Sequence, residues 1–82
     1  MMNEYMDSFD YEVMDECYAV VSSRCGEGVF LVLDNGQRAY AHRFGNLTQG
    51  DRVICRVDRL PQGDKNTLVS ISSVCGYNMR AA

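Results

Sequence analysis

The stretch VFLVLDNGQRAYAH, residues 29–42, decides the fold. Two runs rich in β-branched and aromatic residues flank Asp34-Asn35-Gly36, and an Asn-Gly step between strand patterns is the strongest short-range hairpin signal. A type I′ turn needs φ > 0 at both central residues, which Asn and Gly tolerate best. The spacing therefore predicts a hairpin of residues 29–33 and 37–42. Side chains alternate across a strand, so Val29, Leu31 and Leu33 share one side with Ala39 and Ala41. Phe30, Arg38, Tyr40 and His42 fall on the other. The first set is a core face, and the second gathers two aromatics, an imidazole and a guanidinium on the outward face.

Working outward, residues 17–23 (CYAVVSS) form a β-rich run that ends in RCGEG, whose glycines suit a tight connection. Residues 43–50 (RFGNLTQG) are too short for more than a turn of helix. Residues 51–58 (DRVICRVD) alternate cleanly, with Val53, Cys55 and Val57 on one side, which is a half-buried strand. Arg52 and Arg56 then belong to its solvated side. A polar loop at 61–66 holds the single proline and leads to a last strand near 67–74. Five short strands in under sixty residues predict an all-β chain: one small five-stranded barrel, closed because closure removes edges that a short chain cannot otherwise protect.

The 82 residues suffice for one small domain. Such a chain buries about 60 to 65% of its unfolded surface, enough for a modest core but not for a deep substrate cavity. The expected organisation is an acidic arm over 1–16, the barrel over 17–75 and a tail over 76–82. The net charge is −3, which at first sight opposes nucleic-acid binding. It is unevenly spread, however. Residues 1–16 carry six acids and no base, whereas residues 17–82 carry five acids against eight bases, giving −6 on the arm and +3 on the body.

Seven of the eight bases are arginine, which favours planar bidentate or stacking contacts over diffuse charge. The first residues, MMNEYMD, show neither a basic leader nor an apolar run, and nothing approaches the roughly 20 apolar residues of a spanning helix. A cytoplasmic location without membrane contact is expected. Cys17, Cys25, Cys55 and Cys75 form no Cys-x-x-Cys pair, and His42 is the only histidine, so no metal site is expected. The four cysteines read as reduced thiols acting as small apolar residues.

The ordered series GVFLVL (28–33), AYAH (39–42) and GDRVICRV (50–57) resembles the OB-fold RNA-binding domain of the ribosomal-protein S-one type, and the cold-shock domain nearly as much. The resemblance spans about residues 17–74. It implies that Phe30 matches the ligand-face phenylalanine of the second strand and His42 the histidine of the third. Tyr40 matches the aromatic that cold-shock domains use for stacking. Three positions depart from the pattern. Glu27 stands where a further aromatic is usual, Ser23 or Arg24 where a lysine is, and only Lys65 and Asn66 lie near the expected arginine of the last strand.

The site expected from these residues is a single-stranded nucleic-acid face, RNA more than DNA. Phe30 and Tyr40 would stack bases, His42 would stack or hydrogen-bond, and Arg38 and Arg43 would contact phosphates. A plainer reading stands beside it, in which Phe30 and Tyr40 form a cross-strand pair that pins the hairpin register. The arm places Met2, Tyr5, Met6, Phe9 and Val13 at helical spacing, while Phe9, Tyr11 and Val13 fit a strand equally well. Its carboxylates could mimic nucleic acid on the basic face or dock a protein partner. The alternative function is thus a protein-interaction or inhibitor module on the same scaffold, in a mobile-element or phage setting. Nothing pairs a nucleophile with a base, no glycine loop has phosphate-binding spacing, and neither catalysis nor a cofactor is expected.

Overall fold

The computed structural model describes residues 10–42 and 46–76. Five strands follow in chain order: β1 Glu16–Cys25, β2 Gly28–Leu33, β3 Arg38–Ala41, β4 Arg52–Arg59 and β5 Thr67–Gly76. They close into a barrel in the order β1-β2-β3-β5-β4, with every pair antiparallel except β3–β5. The chain is all-β, as its alternation predicts, and the closed five-strand barrel is consistent with an OB-like fold.

The core follows strand parity. Val29, Leu31, Leu33, Ala39 and Ala41 are all at most 3% exposed, and they meet Val53, Cys55 and Val57 across the barrel. Cys17, Ala19 and Val21 of β1 and Val69 of β5 complete the interior. The apolar alternation of β1 stops at Val21, and Ser22 to Cys25 are all exposed. Strand pairing nevertheless continues there, because β1 remains bonded to β2 through Cys25↔Gly28. The strand is therefore longer than its hydrophobic pattern. It also carries a bulge, since Val21 pairs with Leu31 but the next pair is Ser23↔Phe30, which leaves Ser22 as the extra residue.

The β2–β3 hairpin forms where expected, but its turn differs from the expected type. Of the central residues only Gly36 has positive φ (+92°), and Asn35 does not. Gly36 N–H donates to Leu33 O at 2.9 Å and Leu33 N–H to Gln37 O at 2.8 Å, so the loop has three residues, Asp34, Asn35 and Gly36. Loops of this length combine a four-residue turn with a left-handed glycine, which relieves Asn35 of the left-handed conformation. The Asn35 side chain instead accepts the Gln37 N–H at 2.9 Å.

Between β3 and β4, Leu47 is 1% exposed and sits in the core cluster. The turn behind it is tied down twice. The buried Asp51 carboxylate accepts the Thr48 N–H at 2.9 Å, while Gly50 N–H donates to Val21 O and Val21 N–H to Asp51 O, both at 2.9 Å. The Gly-Asp step before β4 is thus structural: Gly50 takes φ +94° and Asp51 closes the turn.

Residues 10–15 lie against the barrel. Met14 N–H donates to Val57 O at 2.7 Å, Val57 N–H donates to Asp15 O at 2.9 Å, and Tyr11 packs on the core. Val13 is exposed beside a turn in which Met14 has φ +81°, so the helical stripe does not extend to Val13. Its positions Met2, Tyr5, Met6 and Phe9 lie outside the described residues.

Of the four thiols, Cys17 and Cys55 are core residues directly opposite one another, with Sγ atoms 3.8 Å apart, whereas Cys25 and Cys75 are exposed. Burial pushes the Cys55 thiol up from 9.0 to about 12, with the Cys17 neighbour adding to the rise. Burial raises Cys17 as well.

Two measurements test this account. Leu47→Ala should cost about 2–5 kcal/mol in urea unfolding, the range for deleting a buried leucine side chain; a loss below about 1 kcal/mol would place Leu47 outside the core. The folded state also holds the Cys55 proton more tightly than the unfolded chain does. Stability should be full below about pH 9 and fall as the pH rises toward 12. Cys55→Ala should make that fall shallower, and an unchanged slope would assign the titration to another group.

Candidate nucleic-acid interface

The outward face is a grid set by strand pairing. The pairs Ser23↔Phe30, Phe30↔Tyr40 and Tyr40↔Leu68 run in one row across β1, β2, β3 and β5. The neighbouring row is Val20↔Val32 and Val32↔Arg38. The parallel pair Ala39↔Thr67 then puts Asn66 beside Arg38. Because the inward partners are core residues, a slip of one position would bury Phe30 and Tyr40 and expose Leu31 and Ala39.

Phe30 and Tyr40 are half-buried, with ring centroids 5.1 Å apart and planes inclined at 55°. Tyr40 also meets the exposed His42 ring edge-on, at 5.3 Å and 87°. The structure therefore joins three of the expected residues in a chain of rings with Tyr40 in the middle. The rings are tilted rather than coplanar, so each presents its own face. Arg38 lies on the same face, exposed and without a hydrogen bond or ion pair among the described residues. Arg43 lies outside the described residues.

Gly28 explains how Tyr40 is held. A Cβ there would run into the Tyr40 hydroxyl and the Ala41 carbonyl oxygen, with Tyr40 Cζ at 2.6 Å. The tyrosine ring thus lies over a backbone position that has no side chain of its own, the arrangement in which an aromatic covers a strand glycine. Beside it, Glu27 is exposed in the short Gly26–Glu27 connection and brings a negative charge to this end of the face.

Three shallow grooves adjoin the face. One of about 430 Å³ is lined by Ser22, Ser23, Phe30, Val32, Arg38 and Asn66. A second, of about 340 Å³, lies between His42, Leu68, Asp58 and Ser70. Asp58 is already engaged there: it accepts from the Ser70 hydroxyl and pairs with Arg56 at 3.2 Å. His42 has no hydrogen-bond partner among the described residues, so these three groups do not form a proton relay. The third groove, about 420 Å³, is lined by Tyr18, Val20, Val32, Arg52 and Cys75.

Tyr18, Val20 and Val32 are 60%, 42% and 38% exposed, and they extend the face beyond the expected residues. The signal for Tyr18 and Val20 was present in the run at 17–23, which is apolar at consecutive positions, and hairpin parity puts Val32 on the side of Phe30. A strand apolar on both sides with only one side in the core must expose the other. Arg52 and Arg56 sit on the solvent side, as their spacing predicts. Arg56 is engaged by Asp58, and the Arg52 guanidinium lies over Gly76.

At the hairpin tip, the Tyr11 hydroxyl donates to the Asp34 carboxylate. That bond, with burial and the Asp34 charge, raises the Tyr11 phenol well above its usual range. Asp34 lies two residues beyond Val32, whose partner across the hairpin is Arg38. Among the described residues, no three His, Cys, Asp or Glu side chains are placed to hold a metal, and no helix is long and apolar enough to cross a membrane.

Gly28→Ala should displace Tyr40 and cost about 1–3 kcal/mol, as overpacking does. Thermal unfolding together with the Tyr40 ring resonances checks this; an unshifted Tyr40 at full stability would mean that the ring is not seated on Gly28.

Comparison with family models, with curated proteins and with solved structures finds no match to this chain.

Proposed function

We propose that the chain is a non-catalytic binding module that takes single-stranded nucleic acid, RNA in preference to DNA, across the outer face of β2 and β3. The observation that carries this reading is the ring series Phe30, Tyr40 and His42 on the outside of a hairpin whose inside is fully apolar. Solvent does not require aromatic rings there, and bases stack on such rings without regard to sequence. The order of motifs shared with the ribosomal-protein S-one and cold-shock families supports the same reading, and the closed barrel is a scaffold on which that face is used. Fold alone would not be enough, since small barrels host many roles.

Phe30 and Tyr40 provide the stacking surfaces, and His42 extends them toward Glu27. Arg38, on this face, and Arg43, which follows β3 in the sequence, are the cations this reading assigns to the ligand. With so few, binding is weak and depends modestly on salt, with a slope of about −0.7 for each phosphate neutralised on a single strand. The Phe30–Tyr40 contact also serves the plainer role of fixing hairpin register, and the two roles are compatible because only part of each ring is buried.

The exposed set Tyr18, Val20 and Val32 favours a second reading, a protein-interaction module that uses the β1 side of the barrel. One titration separates the two. A fluorescent oligouridine should bind at low salt, and Phe30→Ala with Tyr40→Ala should weaken it by at least about tenfold, given roughly 1–3 kcal/mol per stacked base. Binding by the folded double variant equal to that of the parent would refute the platform. No binding by the parent would leave the protein-interaction reading.

A further inference from the structure

The face carries a device that plain stacking does not use. Arg38 and Phe30 are diagonal neighbours across the β2–β3 pair, since Phe30 faces Tyr40 and Val32 faces Arg38. Diagonal positions lie about 7–8 Å apart, within reach of a long side chain. A base stacked on Phe30 would therefore present an edge to the Arg38 guanidinium. Both residues line the groove of about 430 Å³, together with Ser22, Ser23 and Asn66. Its volume is that of a small-molecule site, in the range of roughly 300–1,000 Å³.

The backbone of this groove is fixed on both walls. The bulge at Ser22 places two consecutive serines, Ser22 and Ser23, along one wall. On the opposite wall, Arg59 donates to the Asn66 carbonyl at 3.2 Å and fixes the start of β5. Arg38 has donors and no acceptor, while the serine hydroxyls and the Asn66 amide offer both.

Electrostatics separates a phosphate from a base edge at Arg38. Asp34 lies two residues beyond Val32, the partner of Arg38, and accepts the Tyr11 hydroxyl. Asp10, Glu12 and Asp15 belong to the same N-terminal segment as Tyr11. A phosphate near the hairpin tip would meet the Asp34 charge with a full negative charge of its own, whereas a base edge would meet it only with partial charges.

We propose that the groove between Phe30, Arg38 and Asn66 selects guanine, with Arg38 reading the base edge rather than neutralising a phosphate. Guanine offers O6 and N7 as adjacent acceptors for a bidentate arginine, and its N1–H and N2–H₂ donors face groups able to accept. Cytosine has adjacent acceptors at N3 and O2 but only one donor group. Adenine sets an amino donor beside N7, and uracil sets N3–H between its two carbonyls, so each can take a single bond from Arg38. The order of preference is guanine, then cytosine, then adenine and uracil. The inference rests on the single-strand reading above, adds base identity to it, and moves Arg38 from the phosphate contact expected from the sequence to a base edge.

The test uses the full chain and four labelled RNA heptamers, UUUXUUU with X = G, C, A or U, at low salt. The G heptamer should bind about five- to tenfold more tightly than the U heptamer, the low end for a bidentate arginine–base pair because Arg38 is exposed. Arg38→Lys keeps the charge but not the fork and should remove the advantage of G. Asn66→Ala should reduce that advantage. Phe30→Ala should weaken all four heptamers together. Equal binding of the four heptamers by the parent chain overturns guanine selection and leaves the stacking face standing. A G advantage that survives in Arg38→Lys overturns the role given to Arg38. Failure of all four to bind overturns the single-strand reading and this inference with it.

Discussion

The barrel depends on β1 serving two neighbours. Its first half pairs with β4 from Glu16 to Val20, and its second half pairs with β2 as far as Cys25. A straight strand cannot do both in so small a closed sheet, because closure demands tilt and bending. The bulge at Ser22 supplies the bend, immediately after Val21 has bonded to the Gly50–Asp51 turn. Beyond that point β1 leaves the β4 side, and its exposed end forms a wall beside Phe30. The shortest seam is the parallel one between β3 and β5, which consists of only Ala39↔Thr67 and Tyr40↔Leu68. Its short length puts the least-paired part of the barrel directly beneath the ring series, so the candidate site lies where local opening is easiest.

Tyr40 links that seam to the face. One side of its ring covers Gly28 and the Ala41 carbonyl, while its neighbours are Phe30, His42 and Leu68. It is therefore a packing residue before it is anything else, and a ligand can use only the part of the ring that packing leaves open. The same economy applies to Phe30, half-buried in its groove. A surface built in this way is held in place before a ligand arrives, which limits the ordering cost of weak binding.

The inner side of the hairpin was legible in residues 29–42 because strand parity is local: the five expected core positions are all buried. So was β4, where Val53, Cys55 and Val57 alternate without interruption. What the sequence concealed depends on distant partners. The exposed second half of β1 has no hydrophobic signature, since its pairing with β2 is made by backbone groups. The geometry of the 34–36 loop turned on which residues close the hairpin, and the choice of Leu33 and Gln37 relieved Asn35 of the left-handed conformation. Of the candidate site, Phe30, Tyr40 and His42 could be grouped by parity alone. Asn66 could not, because only the parallel β3–β5 contact brings it beside Arg38. Tyr18 and Val20 were obscured differently: an unbroken apolar run does not show which side faces water until the barrel closes.

Charge completes the picture of what the face can accept. The chain carries −3 overall, and three of its acids, Asp10, Glu12 and Asp15, belong to the segment laid against the barrel. That segment is tied at Tyr11 to Asp34 and at Met14 and Asp15 to Val57, so its negative charge has a fixed position. Fields between exposed charges fade over a Debye length, about 8–10 Å near physiological salt, and act on whatever approaches the hairpin tip rather than on the whole face. A polyanion is therefore held off at the Asp34 end, while neutral base edges and ring faces are not. A face with rings in its middle, Asp34 toward one end and Glu27 toward the other favours contacts through bases over contacts through the backbone. For such a face, the shape and hydrogen-bonding edge of a base weigh more than the number of phosphates that accompany it.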